Sequence, residues 1–176
     1  PMLADAEAVM RGIDRVPGVE YTVLIPNLKG AERALSVGVD EFNLVMSVSE
    51  AHNQSNLKMS REDSFKGLAS VIDLAHANNT AANISLSTSF GCPMAGITSL
   101  SELMHWVDRF AAAGVRGITV CDTTGMANPA QVQVVCEAVQ AKYPKLQWTL
   151  HFHNTRGMGL ANALAAVNSG IDRFDS

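Results

Sequence analysis

The sequence predicts an α/β protein built on a parallel sheet, and specifically an incomplete (β/α)8 TIM barrel. Short extended runs alternate with helix-like runs along the whole chain, an alternation typical of parallel sheets. Polar and reactive residues follow several different strands, as they do at the carboxyl ends of barrel strands. Six strands are predicted where a full barrel has eight. We therefore expect a single partial barrel domain over residues 1–176 that lacks its first two strands and its C-terminal region. An open doubly wound sheet is the alternative.

Apolar spacing and capping residues define the elements in order. Ser60, Ser99 and Asn128 each stand at a predicted helix N-terminus. The predicted helices cover residues 3–15, 29–37, 60–78, 99–113, 128–142 and 158–168. The predicted strands cover residues 21–25, 41–46, 82–87, 117–121, 147–151 and 171–176. The polar segment 47–59, which contains His52, is predicted to be a long loop, and His52 is interpreted as a solvated loop residue.

The histidine pair His151 and His153 stands at the end of the fifth predicted strand. Residues two apart in a strand point to the same face, so both imidazoles should enter one space while Phe152 points away. Two same-face histidines at the carboxyl end of a strand are half of a plausible divalent-metal site. The alternative is a hydrogen-bonded core histidine beside a rim histidine. From two imidazoles alone, Zn²⁺ and Mn²⁺ both remain open.

Composition narrows the class of protein. Charged residues make up 17% of the 176 residues and apolar residues 47%, which describes a folded globular chain. The formal net charge of -4 gives no reason to expect nucleic acid as a partner. No apolar run is long enough for a membrane span, so no membrane partner is expected either. Cys92, Cys121 and Cys136 are odd in number and form no C-x-x-C pair, which favours a reducing, cytoplasmic setting.

Four segments, read together, resemble the hydroxymethylglutaryl-CoA lyase family of metal-dependent TIM-barrel lyases. They begin at Leu24, Ser89, Asp122 and His151 and read LIPNLKG, SFGCP, DTTG and HFHNT. The resemblance runs from Pro17 to the end of the chain, in order and with compatible spacing. The family's lyases commonly have HCHDTYG at the metal strand, so this chain departs from the pattern there.

That resemblance implies a retro-Claisen carbon–carbon lyase that cleaves 3-hydroxy-3-methylglutaryl-CoA to acetoacetate and acetyl-CoA. It implies His151 and His153 as ligands of Mg²⁺ or Mn²⁺, with His151 also close to the reacting carbons. It implies that Asp122 contacts the substrate's hydroxyl region as a catalytic residue, although an aspartate at a strand tip also serves well in a turn. The remaining ligands and the catalytic cysteine of the family have no counterpart here. An acyl-CoA substrate and a homodimer or higher oligomer are also implied.

Two other functions stay open. A Claisen-type synthase or a 4-hydroxy-2-oxoacid aldolase would use the same histidine pair on the same scaffold. Alternatively, the chain is a catalytically incomplete barrel fragment whose exposed sheet edges pair with another chain.

Overall fold

The computed structural model describes residues 5–175. Leu3, where the first helix is predicted to begin, and Ser176, where the last strand is predicted to end, lie outside the described residues. Six strands in this range form one parallel sheet. They are β1 (Thr22–Leu24), β2 (Glu41–Ser47), β3 (Ala81–Ser87), β6 (Gly117–Asp122), β7 (Gln147–Phe152) and β8 (Arg173–Asp175). A two-stranded antiparallel hairpin, β4 (Gly91–Cys92) with β5 (Gly96–Ile97), lies in the segment after β3.

The order of strands in the sheet decides between the two predicted arrangements. The order is β1-β2-β3-β6-β7-β8, so each strand of the sheet lies beside the next one in sequence. In a doubly wound sheet the order in which successive strands are added reverses at a switch point. In a barrel each new strand is added on the same side of the one before it. Because every crossover connection has the same hand, the helices lie on one face of the sheet. The other face is the inner, concave face of the curved sheet. The predicted barrel winding is therefore confirmed.

The helices of the described range are α1 (Ala6–Gly12), α2 (Leu28–Leu35), α3 (Glu50–Leu57), α4 (Arg61–Ala77), α5 (Leu100–Ala112), α6 (Pro129–Lys142) and α7 (Gly159–Asn168). The predicted caps are observed: Ser60, Ser99 and Asn128 each accept a hydrogen bond from the backbone N–H three residues on. One of the predicted elements is wrong. Residues 50–57 form α3, where a loop was expected, because Ser49 caps them and the buried Asn53 holds them to their surroundings.

The two faces of the sheet differ in chemistry. The face toward the helices is apolar, with Phe42, Leu44, Ile84 and Ile118 fully buried against the helix layer. The inner face carries polar side chains that bond to one another across strands. The Asn43 amide oxygen accepts from Asn83 (2.9 Å) and Ser85 (3.0 Å), and the Asn83 amide donates to Thr119 (3.0 Å). Within residues 5–175, no helix has both the length and the apolar character needed to cross a membrane.

Candidate functional site

The histidine pair lies at the carboxyl edge of the sheet, where β7 ends. The ring centroids of His151 and His153 are 5.0 Å apart, with their planes inclined by 55°. Phe152, between them in sequence, packs on the apolar side against Phe90, with centroids 6.1 Å apart. The period of a strand thus places the two imidazoles together and the phenyl ring opposite, as the sequence predicted. The geometry shows that the two imidazoles share a space; their role as metal ligands stays a prediction.

A carboxylate from the neighbouring strand holds one of these rings. His151 is opposite Asp175 in the parallel register of β7 and β8, and Cys121 is opposite His151 on the other side. The Nδ1 of His151 lies 2.6 Å from Oδ1 of Asp175. Both side chains are partly exposed, His151 by 25% and Asp175 by 47%. The ring of His151 is therefore fixed in orientation at the rim of the site.

Asp122 is placed differently from the histidines. The residue is 1% exposed, and its Oδ1 accepts hydrogen bonds from the backbone N–H groups of Met126 (2.8 Å) and Ala127 (3.1 Å). Burial raises the pKa of this carboxyl, against the lowering effect of those two hydrogen bonds. The backbone carbonyl of Asp122 also accepts from the N–H of His153, 3.3 Å away. In the structure, Asp122 stabilises the turn beside the histidines through these hydrogen bonds. Its catalytic role stays a prediction.

Thr88 ties the loops at this edge together. It is fully buried and has a φ of +57°, a left-handed conformation that a β-branched residue rarely adopts. Its backbone N–H donates to the Thr123 hydroxyl (2.9 Å), and its own hydroxyl oxygen accepts from the N–H of Ser49 (3.1 Å). Three strand-tip loops meet at this one residue. Such a strained residue, held by its surroundings, is typical of a functional edge.

A second histidine contact at the carboxyl edge was missed by the sequence analysis. His52 lies on α3, where its Nδ1 is 2.7 Å from the hydroxyl oxygen of Ser47, the last residue of β2. The prediction of His52 as a solvated loop residue is therefore wrong, because α3 turns it back onto its own strand. Its spacing of five residues from a strand-end serine was the only signal available.

The described residues supply only part of the ligand set that a divalent metal ion needs. Residues 5–175 contain no group of three or more His, Cys, Asp or Glu side chains arranged to hold one. Burial, and after it the charge of the nearby Asp175, raises the pKa of the Cys121 thiol far above its usual range. What the chain offers is two imidazoles, one of them oriented by a carboxylate. That set fits half of a divalent-metal site and not a complete one.

A parallel sheet that winds one way, with polar and imidazole groups at the carboxyl ends of its strands, is the arrangement of a TIM-barrel protein. Comparison with known proteins gives the family. A family model described as HMGL-like matches residues 3–176, and the chain belongs to this family.

Individual relatives agree with that assignment. The chain is 41% identical over 175 residues to the hydroxymethylglutaryl-CoA lyase YngG of Bacillus subtilis, covering 99% of this chain and 58% of that protein. It is 32% identical to the human mitochondrial hydroxymethylglutaryl-CoA lyase, covering 100% of this chain and 54% of the relative. An HMG-CoA lyase structure from Acinetobacter baumannii, in complex with coenzyme A and 3-methylmalate, superimposes with a TM-score of 0.93. It is 44% identical, and the match covers 99% of this chain and 57% of that one. The chain thus spans just over half the length of these relatives.

Proposed function

We propose that this chain carries the histidine half of the metal site of a divalent-metal-dependent carbon–carbon lyase acting on 3-hydroxy-3-methylglutaryl-CoA. The observation that supports it most directly is the closeness of His151, in β7, to His153, directly after β7, with ring centroids 5.0 Å apart at the carboxyl edge. Membership of the HMGL-like family and the lyase relatives support the choice of reaction. The relative bound to coenzyme A supports an acyl-CoA as the substrate class.

The chemistry places definite demands on the site. The substrate's tertiary hydroxyl loses its proton while the bond between the carbinol carbon and the thioester methylene breaks. The carbinol carbon becomes the ketone of acetoacetate, and the methylene carbon gains a proton to give acetyl-CoA. A bound Mg²⁺ or Mn²⁺ would supply a Lewis acid that lowers the pKa of that hydroxyl. His151 and His153 would hold it, and the turn anchored by Asp122 would keep His153 in place through its backbone.

A second candidate is the catalytically incomplete fragment, which the donor set favours. With no group of three candidate ligands among the described residues, this chain should bind a divalent ion only weakly by itself. The three buried free cysteines support the cytoplasmic setting for either candidate.

The test is Mn²⁺ binding, followed by electron paramagnetic resonance, together with acetyl-CoA release from 3-hydroxy-3-methylglutaryl-CoA. We expect His153→Ala to abolish Mn²⁺ binding and any cleavage. His105→Ala is the control: it removes an exposed α5 histidine, which contacts Trp106 and lies outside the site. Equal Mn²⁺ binding by His153→Ala and the wild-type chain would disprove the metal assignment. Mn²⁺ binding without cleavage would select the incomplete fragment.

A further inference from the structure

We infer that Asp175 is a positioning residue that fixes the tautomer and direction of His151, so that its Nε2 is the nitrogen offered to a divalent metal. This inference deepens the proposed function and rests on it for the identity of the ligand. Its own evidence is the contact of 2.6 Å between Asp175 Oδ1 and His151 Nδ1. An ionised carboxylate only accepts hydrogen bonds, so the ring must donate from Nδ1. In the neutral imidazole, the lone pair then belongs to Nε2.

The backbone makes this contact a built-in feature of the sheet. The parallel register pairs Thr149 with Arg173 and His151 with Asp175, so alternate residues of β7 and β8 share the inner face. The two partners are 24 residues apart in sequence and meet only because α7 returns the chain beside β7.

The contact does little for stability. Asp175 is 47% exposed and His151 25%, and ion pairs or charged hydrogen bonds this open to water add little to the free energy of unfolding. Asp175 does not form a three-residue ligand group with the histidines either, since none exists within residues 5–175. Its effect must therefore pass through His151. A carboxylate that receives the second N–H of a ligating imidazole orients the ring and strengthens it as a ligand.

The first experiment reads the tautomer without any metal. Long-range ¹H–¹⁵N correlation spectra of the neutral imidazoles distinguish a protonated Nδ1 from a protonated Nε2. We expect the Nδ1–H form for His151 in the wild-type chain and a shift toward the Nε2–H form in Asp175→Ala. Asp172→Asn is the matched control, because it removes an exposed carboxylate three residues away without touching the ring. An unchanged tautomer in Asp175→Ala would overturn the inference.

The second experiment measures Mn²⁺ affinity in the same variants. We expect Asp175→Ala to bind about 10–100-fold more weakly than wild type, as loss of an outer-shell partner typically does. Asp175→Asn, which keeps an oxygen acceptor without the charge, should fall between them, and it keeps the test valid if the alanine variant fails to fold. Equal affinity in all variants would refute the positioning role. If the wild-type chain binds no Mn²⁺ at all, the metal assignment fails, while the tautomer spectra still decide what Asp175 does.

Discussion

At the scale of single residues, the two oxygens of Asp122 have different surroundings. Oδ1 accepts hydrogen bonds from the N–H groups of Met126 and Ala127, whereas the buried Oδ2 has no hydrogen-bond partner within the described part of the chain. A buried charge with one unpaired oxygen is unfavourable, and burial accordingly raises the pKa of this carboxyl. The turn needs only an oxygen acceptor at Oδ1, and that requirement can be separated from the charge by substitution.

We predict that Asp122→Ala lowers the free energy of unfolding by about 1–3 kcal/mol, since it leaves two backbone donors unpaired. Asp122→Asn should lose much less, because its amide oxygen still accepts from both. The raised pKa means that the folded state binds this proton more tightly than the unfolded state. The resulting stabilisation is present below the ordinary pKa of 3.8 and is lost as the pH rises through the raised value.

Urea unfolding in the presence of EDTA, at several pH values, measures both effects. The stability of the wild-type chain relative to Asp122→Asn should fall as the pH rises. If the asparagine variant is as unstable as the alanine variant at every pH, the carboxyl group is not a simple turn acceptor.

The sequence predicts the directions of the two histidine side chains but not the contacts that they make. The shared direction of His151 and His153 follows from the period of two in any strand, and their rings do lie together. The contact between His151 and Asp175 depends on the register of two strands joined through α7. No local pattern encodes that register. Asp122 was visible at a strand tip, but whether its carboxylate turns toward the site or under the turn depends on packing.

At the scale of elements, α3 shows why a polar segment was misread. The only buried residue of this helix is Asn53, which is polar. The sequence of the helix therefore lacks the apolar spacing that would predict a helix. Asn53 makes three hydrogen bonds: it accepts from the N–H of Ser47 and donates to the Met59 carbonyl and the Ser64 hydroxyl. Tertiary hydrogen bonds replace the usual apolar face of α3. The other helices carry apolar spacing or caps in their own sequences, and they were predicted with small errors at their ends.

The contact between α4 and α5 combines a charge pair with aromatic rings. Arg109 on α5 donates two hydrogen bonds to the carboxylate of Glu62 on α4, at 2.5 and 2.8 Å. The same guanidinium lies 3.9 Å from the ring centroid of Phe65 and 4.8 Å from that of Trp106. A planar cation can make both contacts at once, whereas an ammonium cannot reproduce the paired hydrogen bonds.

We therefore predict that Arg109→Ala lowers the free energy of unfolding by about 1 kcal/mol, the size of a cation–π contact, because the carboxylate of Glu62 is too exposed for the ion pair to add much. Arg109→Lys should recover no more than about half of that loss, since it restores the charge without the planar fork. Thermal and urea unfolding, with Lys66→Ala on the exposed side of α4 as the control, provide the measurement. Full recovery by lysine would mean that charge alone stabilises the contact.

At the scale of the whole molecule, the carboxyl ends and the amino ends of the strands, here called the carboxyl edge and the amino edge of the sheet, carry different kinds of side-chain contact. The carboxyl edge carries the histidine pair and the strained Thr88. The amino edge carries an ion cluster in which Arg116, just before β6, donates to Glu41 (3.0 Å) and to Glu20 (2.7 Å). Arg116 and Glu20 are 96 residues apart, so the cluster joins the start of the described sheet to its middle. This division follows the general rule for barrels, where chemistry sits at the carboxyl edge.

The division predicts that stability and metal binding can be changed independently. Arg116→Ala leaves Glu41, whose side chain is only 10% exposed, without its cation. Breaking a fully buried pair costs about 3–5 kcal/mol, and the 31% exposure of Arg116 reduces our expectation to about 2–3 kcal/mol. Glu20→Ala is the control, because it removes only the outer carboxylate, which is 51% exposed, and should cost about 0–1 kcal/mol.

Arg116 should leave the histidine pair unaffected. It is five residues along the chain from Cys121, the partner of His151 in the register, a separation of roughly 17 Å along a strand. Arg116→Ala should therefore unfold at lower urea concentration yet bind Mn²⁺ like the wild-type chain when folded, and His153→Ala should do the reverse. A loss of Mn²⁺ binding in folded Arg116→Ala would show that the edges are coupled. In that case the strands would have to transmit strain along their length, and the prediction that stability and metal binding change independently would be wrong.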